Sequence, residues 1–363
     1  MLSPVEYYFT NNHIEDRYLD NMLAVGFFRT ANYMLRTRVL LYNSDLYNLF
    51  HIRYDLGIYT LPKSMRKIYN RNKKYFYHKV SPFVNTREKE EMFNRHKNRF
   101  KGSNPDSLNR YLYDYEVSNR FKTYQVEIFD KETDELAAYS IFDLGYKSMA
   151  SILGIFDQKY EKYSLGLYSM ILEIEYGQQH NFAFYYPGYI ADKPSPFNYK
   201  IRLGKNPQFF NWFAESWHIL GDIDDESKVW DFYNTHLSYA EEWLNINNIT
   251  YTRTRNPYYY MKYYYEKSNC LSSIEQFLIE DYSVPNTYFI VEYNSIKDDI
   301  IFSAVCPNDW EDNLLLQIED ILIDKVWNTL LIYKSPLYYI RSSEDLRIVF
   351  DTIKHNLKTK DDE

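Results

Sequence analysis

The clearest alternation of apolar and polar positions lies in the middle of the chain. YQVEIF (124–129) and LAAYSIFDL (136–144) have the β-branched and aromatic content of strands, and the turn-rich DKETDE between them predicts a hairpin. MASILGIFD (149–157) supplies a third strand. The next run, YSLGLYSMILEIEYGQQ, sets Leu167, Ile171 and Ile174 on one face at helical spacing, and FAFYY (182–186) reads as a short buried strand after it. Three strands, a helix and a strand make an α/β order, with antiparallel strands leading into one crossover helix.

The flanks are less regular. Residues 1 to about 100 read as an irregular segment with one helical stretch from about Arg87 to Phe100, which ends at the stop signals Gly102 and Pro105. Three segments are therefore expected: 1–105, 106–205 and an additional C-terminal α/β region at 206–363. In the last, NPQFFNWFAESWHIL and the stretch from Asp225 to Leu244 have helical spacing, while NTYFIVEY, DIIFSAVC and WNTLLIYK have the content of strands. The cluster YYYMKYYY (258–265) suits either stacking on bases or a strand in a core, and the tail KTKDDE is expected to fray.

Composition narrows the classes. With 363 residues, 45% of them hydrophobic, the chain can form two or three domains with real cores. Cys270 and Cys306 are its two cysteines, too few for a disulfide framework or a cysteine-rich metal site, and His51, His78, His96 and His180 lack ligand spacing. No metal is expected. MLSPVEYYFTNNHIEDRYLD carries early acidic residues without an apolar core, unlike a signal peptide, and no stretch has the apolar length of a bilayer span. The expectation is a soluble cytoplasmic protein with no membrane partner.

Charge changes the picture more. The net charge is −8, yet Arg29 to Lys101 holds 17 Lys and Arg against 5 Asp and Glu, leaving 25 against 45 in the remainder. A basic segment of +12 in an acidic chain suits binding to a phosphate backbone, or docking on the protein's own acidic part.

Three local sequences carry candidate chemistry. DQKYEKYSLGLYSM (157–170) follows a strand and opens a helix, so unpaired N–H groups near Gly166 could hold an anion or a carbonyl oxygen, or the segment is an ordinary turn. LPKSMRKIYNRN (61–72) and the Lys73-Lys74 pair after it concentrate Lys63, Arg66, Lys67, Arg71, Lys73 and Lys74. FYYPGYIADKPSPFNYKIRLG (184–204) ends a strand in Pro-Gly and returns through Tyr199, Lys200 and Arg202, which suit either a ligand or a solvated strand edge.

Taken in order, these segments resemble the arginyl-tRNA–protein transferases, including the bacterial branch that transfers leucine. The resemblance covers about 18–205 and rests on AVGFFRT with Arg29, on PKSMRKIYNRN, and on Arg95-His96 within MFNRHKNRF. It rests also on Ser164-Leu165-Gly166, and on Tyr186, Gly188 and Tyr189 followed by Tyr199-Lys200-x-Arg202, with Pro187 replacing a leucine. It implies an α/β fold related to the N-acetyltransferases (GNAT-like). It implies an activity that moves Arg or Leu from charged tRNA to the N-terminal amine of an acceptor protein, as in N-degron formation, with no cofactor beyond the aminoacyl-tRNA co-substrate.

On that resemblance, Leu165, Gly166, Tyr199 and Lys200 are the candidate catalytic residues; Arg29, Ser164, Tyr186, Gly188, Tyr189 and Arg202 are substrate-binding candidates. Lys63, Arg66, Lys67, Arg71, Lys73 and Lys74 are the candidates for tRNA phosphates. Tyr163-x-x-Gly166-x-Tyr168 puts a bulky ring where acetyltransferases keep a small residue, which disfavours acetyl-CoA. The sequence departs from the family in lacking its N-terminal cysteine cluster and in carrying Ser151-Ile152-Leu153 where a tyrosine is expected. A non-catalytic adaptor for tRNA or protein N-termini, and an N-acyltransferase with another donor, are the alternatives.

Overall fold

In a computed structural model of the chain, the described residues are 5–8, 13–42, 45–97, 105–113, 119–221, 223, 227–255, 274–279, 287–294, 299–307, 331–333, 338–339 and parts of 345–355. The order begins β1 (Val5–Tyr8), α1 (Asp16–Ala24), β2 (Phe28–Thr30), β3 (Tyr33–Thr37), β4 (Val39–Tyr42), β5 (Asp45–Asp55), α2 (Lys63–Tyr75), β6 (Phe76–Pro82), α3 (Arg87–Lys97) and α4 (Leu108–Tyr113). It continues through β7 (Thr123–Asp130), β8 (Leu136–Leu144), β9 (Ser148–Phe156), a first 3₁₀ helix (Gln158–Tyr163), α5 (Leu165–Gln179), β10 (Phe184–Ala191), a second 3₁₀ helix (Asn198–Leu203), β11 (Gln208–Asn211) and β12 (Ser216–Ile219).

The expected hairpin is β7–β8. Its turn is held where Asp130 Oδ1 accepts the N–H of Glu132 at 2.8 Å and Asp134 takes a positive φ of 59°. β8 is buried along its whole length because both faces of the sheet are covered, by α2 and α5 on one side and by α3 and α4 on the other. α5 lies close on β9 at Gly177, where a Cβ would stand 2.7 Å from the Met149 Sδ and 2.8 Å from Leu56 Cδ1.

The main sheet runs in the order β12-β11-β5-β10-β9-β8-β7-β6. β10 returns parallel to β9, pairing Phe184 with Ser148, Tyr185 with Met149 and Tyr186 with Ala150. There the two strands part. Pro187 offers no N–H to the ladder, and the register of β10 on antiparallel β5 shifts between Tyr185 and Gly188, whose φ is +101°. Beyond it β10 pairs only with β5, from Gly188 opposite Ile52 to Ala191 opposite Leu49, while β9 stays with β8 as far as Phe156. The result is a fork between the C-terminal halves of β9 and β10.

The chain parts into two compact units. One comprises residues 6–40 and 47–227; the fold runs on across residue 105, because β6 pairs β7 from Phe76 opposite Asp130 to Pro82 opposite Tyr124. The other comprises residues 1–5, 41–46 and 228–363. In it α6 (Val229–Ile246) packs Tyr233, Leu237, Ala240 and Leu244 on Phe277, Phe289, Val291 and Phe302. These come from an antiparallel sheet of β13 (Tyr251–Arg255), β14 (Glu275–Ile279), β15 (Tyr288–Asn294), β16 (Asp299–Pro307) and β17 (Leu331–Tyr333), with β18 (Tyr338–Tyr339) also on β16.

The mixed α/β class is as expected. Two local expectations need correction. The N-terminal hundred residues are not irregular but hold α1, α2 and the strands β2 to β6 as well as α3. NPQFFNWFAESWHIL is a β11–β12 hairpin, because Asn211 Oδ1 accepts the N–H groups of Phe213 and Ala214 at 3.0 Å each and Glu215 turns the chain at φ +48°. The tyrosine cluster 258–265, Cys270 and the tail 358–363 lie outside the described residues. Among the described residues no helix is long and apolar enough to cross a membrane.

Candidate active site at a strand fork

The second 3₁₀ helix lays Lys200 beside β10 at the opening of the fork. Tyr54 and Tyr59 fix that segment by donating hydroxyl protons to the carbonyls of Lys200 at 2.9 Å and Leu203 at 2.6 Å. Lys200 Nζ donates to the Tyr189 carbonyl at 3.0 Å and stands 4.9, 5.7 and 6.0 Å from the ring centres of Tyr189, Tyr199 and Phe197. A Cβ at Gly188 would lie 3.5 Å from the same ammonium. Burial of the ammonium pushes its pKa down to about 8. Tyr199 is 43% exposed, and Arg202 is exposed beside it.

The other side of the fork leads to the start of α5. Ser164 adopts the left-handed region at φ +56°, ψ +47° and begins α5 without a side-chain cap. The first-turn N–H groups at Leu165 and Gly166 are thus those a helix start leaves for a ligand. The residue before is clamped: Arg71 Nη2 and Asn72 Nδ2 both donate to the Tyr163 carbonyl, at 2.6 and 2.8 Å. His96 approaches the Phe156 carbonyl at 3.2 Å through Nδ1, and Arg95 pairs Asp157 at 3.4 Å, so the Arg95-His96 pair holds the end of β9.

Both clamping donors at Tyr163 belong to α2, which therefore runs next to the α5 start. Lys63, Arg66, Lys67, Arg71, Lys73 and Lys74 are all exposed on α2, which contains no acidic residue. None of the six has an ion-pair partner among the described residues. Exposed cations without a carboxylate partner among the described residues give one helix the geometry a phosphate backbone can use.

Behind the fork lies a polar spot in an apolar layer. Glu173 of α5 is wholly buried, its Oε2 accepts the Tyr185 hydroxyl proton at 2.7 Å, and Oε1 has no well-formed hydrogen bond. Burial raises its pKa to about 7, against the hydroxyls of Ser140, Tyr185 and Ser151, which favour the charged form. On the opposite face of β10, His51 is buried among Phe28, Tyr189 and Trp212 with Nε2 unpartnered. Burial, with the charges of Lys200, Arg36 and Arg38, pushes its pKa to about 3, so it is neutral at pH 7.

Sequence reasoning missed both groups. The signal for Glu173 was a carboxylate inside MILEIEYG that shares its helical face with Met170, Tyr176 and Gly177, while Glu175 lies on another face. His51 had no comparable signal.

Two candidates are placed away from the fork. Arg29 is buried and its donors are spent: Nη1 pairs Asp143 at 2.9 Å and reaches Thr123 Oγ1 at 2.9 Å, Nη2 donates to the Leu112 carbonyl at 2.7 Å, and Nε to that of Ala31 at 2.6 Å. That partner set is structural, and Arg29 is left out of the site. Tyr186 is buried on the side of the sheet covered by α1, within 3.4 Å of Arg53 Nη1. Tyr168 is core, its ring 6.1 Å from that of Tyr69 where α2 packs on α5, so its bulk does not by itself exclude acyl-CoA.

Residues 88–208 match the family model described as arginine-tRNA-protein transferase, C terminus. This segment, a third of the chain, is similar to a transferase domain of that family. It runs from α3 to the start of β11 and contains the fork, the α5 start, Glu173 and Lys200. No curated protein sequence matches the chain. Among solved structures, L-PGS from Bacillus licheniformis is 17% identical over 39% of this chain and 48% of its own, with a TM-score of 0.31. A tandem GNAT protein from the clavulanic acid biosynthesis pathway is 11% identical over 41% of this chain and 46% of its own, with a TM-score of 0.27. The chain thus spans about half the length of these solved structures.

Proposed function

We propose that the chain is an aminoacyl-tRNA–protein transferase that moves arginine or leucine from charged tRNA to the N-terminal α-amine of an acceptor protein, in the manner of N-degron formation. One observation carries the reading: the transferase-like segment opens a strand fork with a helix start on one side and the Lys200 ammonium on the other, next to a helix of six exposed cations. In this reading α2 takes the tRNA phosphates, and the terminal nucleotide reaches Lys200 and Arg202. Tyr189 and Tyr199 line the pocket that receives the aminoacyl ester.

The reaction is aminolysis. The acceptor nitrogen bonds the ester carbon, the bond to the terminal ribose oxygen breaks, and that oxygen leaves with a proton. Negative charge gathers on the carbonyl oxygen in between, where the N–H groups at Leu165 and Gly166 and the nearby ammonium stabilise it. An α-amine has a pKa of about 8, so positioning contributes more than strong base catalysis.

The test is acceptor-dependent loss of radiolabel from charged tRNA, run beside binding of acetyl-CoA. Label moving to peptide supports the transferase. Salt-sensitive tRNA binding without transfer turns the reading to an adaptor, and saturable CoA binding with no tRNA binding turns it to an acyl-CoA enzyme.

A further inference from the structure

Glu173 sits at the vertex of the fork. Tyr185, which donates to it, belongs to the last stretch of β10 paired with β9, and Ser151, whose hydroxyl acts on it, follows Ala150, the last residue of β9 paired with β10. Exposure begins there: Ser151, Ile152 and Leu153 are half-buried, Gly154 is exposed, and across the gap Gly188 and Tyr189 are half-buried. The carboxyl therefore lies one residue below the opening.

Its surroundings are built for a polar visitor. Ser140, Ser151, Gly154 and Ser169 are small positions grouped around α5, with the Cβ point of Gly154 3.7 Å from Ser169 Oγ, inside a layer otherwise made of Leu, Ile, Met and aromatic side chains. Tyr185 gives the carboxylate its one well-formed hydrogen bond, while the Ser140 hydroxyl lies beside it without a well-formed one. An ionisable group half satisfied in a core is costly, and such groups concentrate where chemistry needs them. The titratable groups acting on Glu173 are Tyr185 from β10 and Tyr199 from the second 3₁₀ helix; no cation contributes among the described residues.

We propose that the Glu173 carboxylate is the base that takes the proton which the acceptor's α-ammonium must lose before it attacks. The inference rests on the transferase reading. The ammonium gives up two protons in forming the amide: one passes to Glu173 and then to solvent, and the other leaves on the ribose oxygen. Tyr185 keeps the carboxylate ionised and oriented.

The test uses the full chain and the charged tRNA from which wild type transfers, with two nucleophiles: a peptide, and hydroxylamine, whose nitrogen is already neutral at pH 7. Rates without enzyme are subtracted. Glu173→Gln is expected to lower peptide transfer by up to about 10-fold at pH 7, where about a tenth of an amine of pKa about 8 is already neutral, and to keep the hydroxylamine rate near wild type. The rise of peptide activity through about pH 7 should disappear with it. Tyr185→Phe should move that rise to higher pH, since a carboxylate that loses a donor is harder to ionise. Equal loss with both nucleophiles, or unchanged peptide transfer, overturns the assignment. If Glu173→Gln fails to fold, Tyr185→Phe decides, and an unmoved pH profile overturns it. A wild type that transfers from no charged tRNA removes the transferase reading itself, and this inference with it.

Discussion

Lys200 Nζ lies 3.0 Å from the carbonyl oxygen of Tyr189, the residue after the glycine at which β10 leaves its parallel partner. The strand's departure and the placement of the ammonium are one structural event. Without the kink at Pro187 and Gly188, β10 would continue along β9 and close the opening.

Lys200→Ala should lower transfer by at least about 100-fold while thermal unfolding stays close to wild type. The pH dependence has a definite sign. In the folded chain the side chain loses its proton near pH 8 instead of 10.5, so activity that needs the ammonium falls above about 8. Between those values the unfolded chain binds the extra proton, so this group's contribution to stability rises with pH. Lys200→Arg, which keeps its charge, should lack the alkaline decline.

Alanine at Lys63, Arg66, Lys67, Lys73 or Lys74 should weaken tRNA binding modestly and flatten the plot of log affinity against log salt by about one unit for each phosphate no longer neutralised. Arg71→Ala should do more, because it also releases the Tyr163 carbonyl ahead of α5. Filter binding at several salt concentrations reads both effects.

Arg29→Ala should act on folding. It strands the buried Asp143 carboxylate, which costs about 3–5 kcal/mol, measurable as a lower urea midpoint. A variant as stable as wild type with weaker acceptor binding would return Arg29 to the substrate site.

Gly188→Ala should cost about 1–2 kcal/mol through its positive φ, since the added methyl itself meets only an ordinary contact with Lys200. Urea unfolding checks the size, and a neutral substitution would mean that the kink relaxes easily.

The sequence was most legible where local pattern and fold agree. β7, β8, β9 and β10 were readable as β-branched and aromatic runs bounded by turn residues or a helix, and α5 by apolar positions at helical spacing. The 208–219 hairpin was not, because its aromatic spacing mimics a helix and the decision lies with the Asn211 turn. Lys200 and the α2 cations could be singled out from motif order. Glu173 and His51 could not, because their character comes from burial by strands distant in sequence: Tyr185 and Ser151 for one, Tyr189 and Trp212 for the other. Arg29 was legible as an arginine in a motif, but its partner Asp143 lies 114 residues away.

The most direct measurement incubates wild type and Lys200→Ala with separately charged, radioactive Arg-, Leu- and Phe-tRNA and with peptides beginning in Asp, Glu, Lys or Arg. The account predicts that wild type labels a peptide from the Arg or the Leu donor and that the variant does not. Label reaching no peptide from any donor, or reaching it equally well with Lys200→Ala, would contradict it.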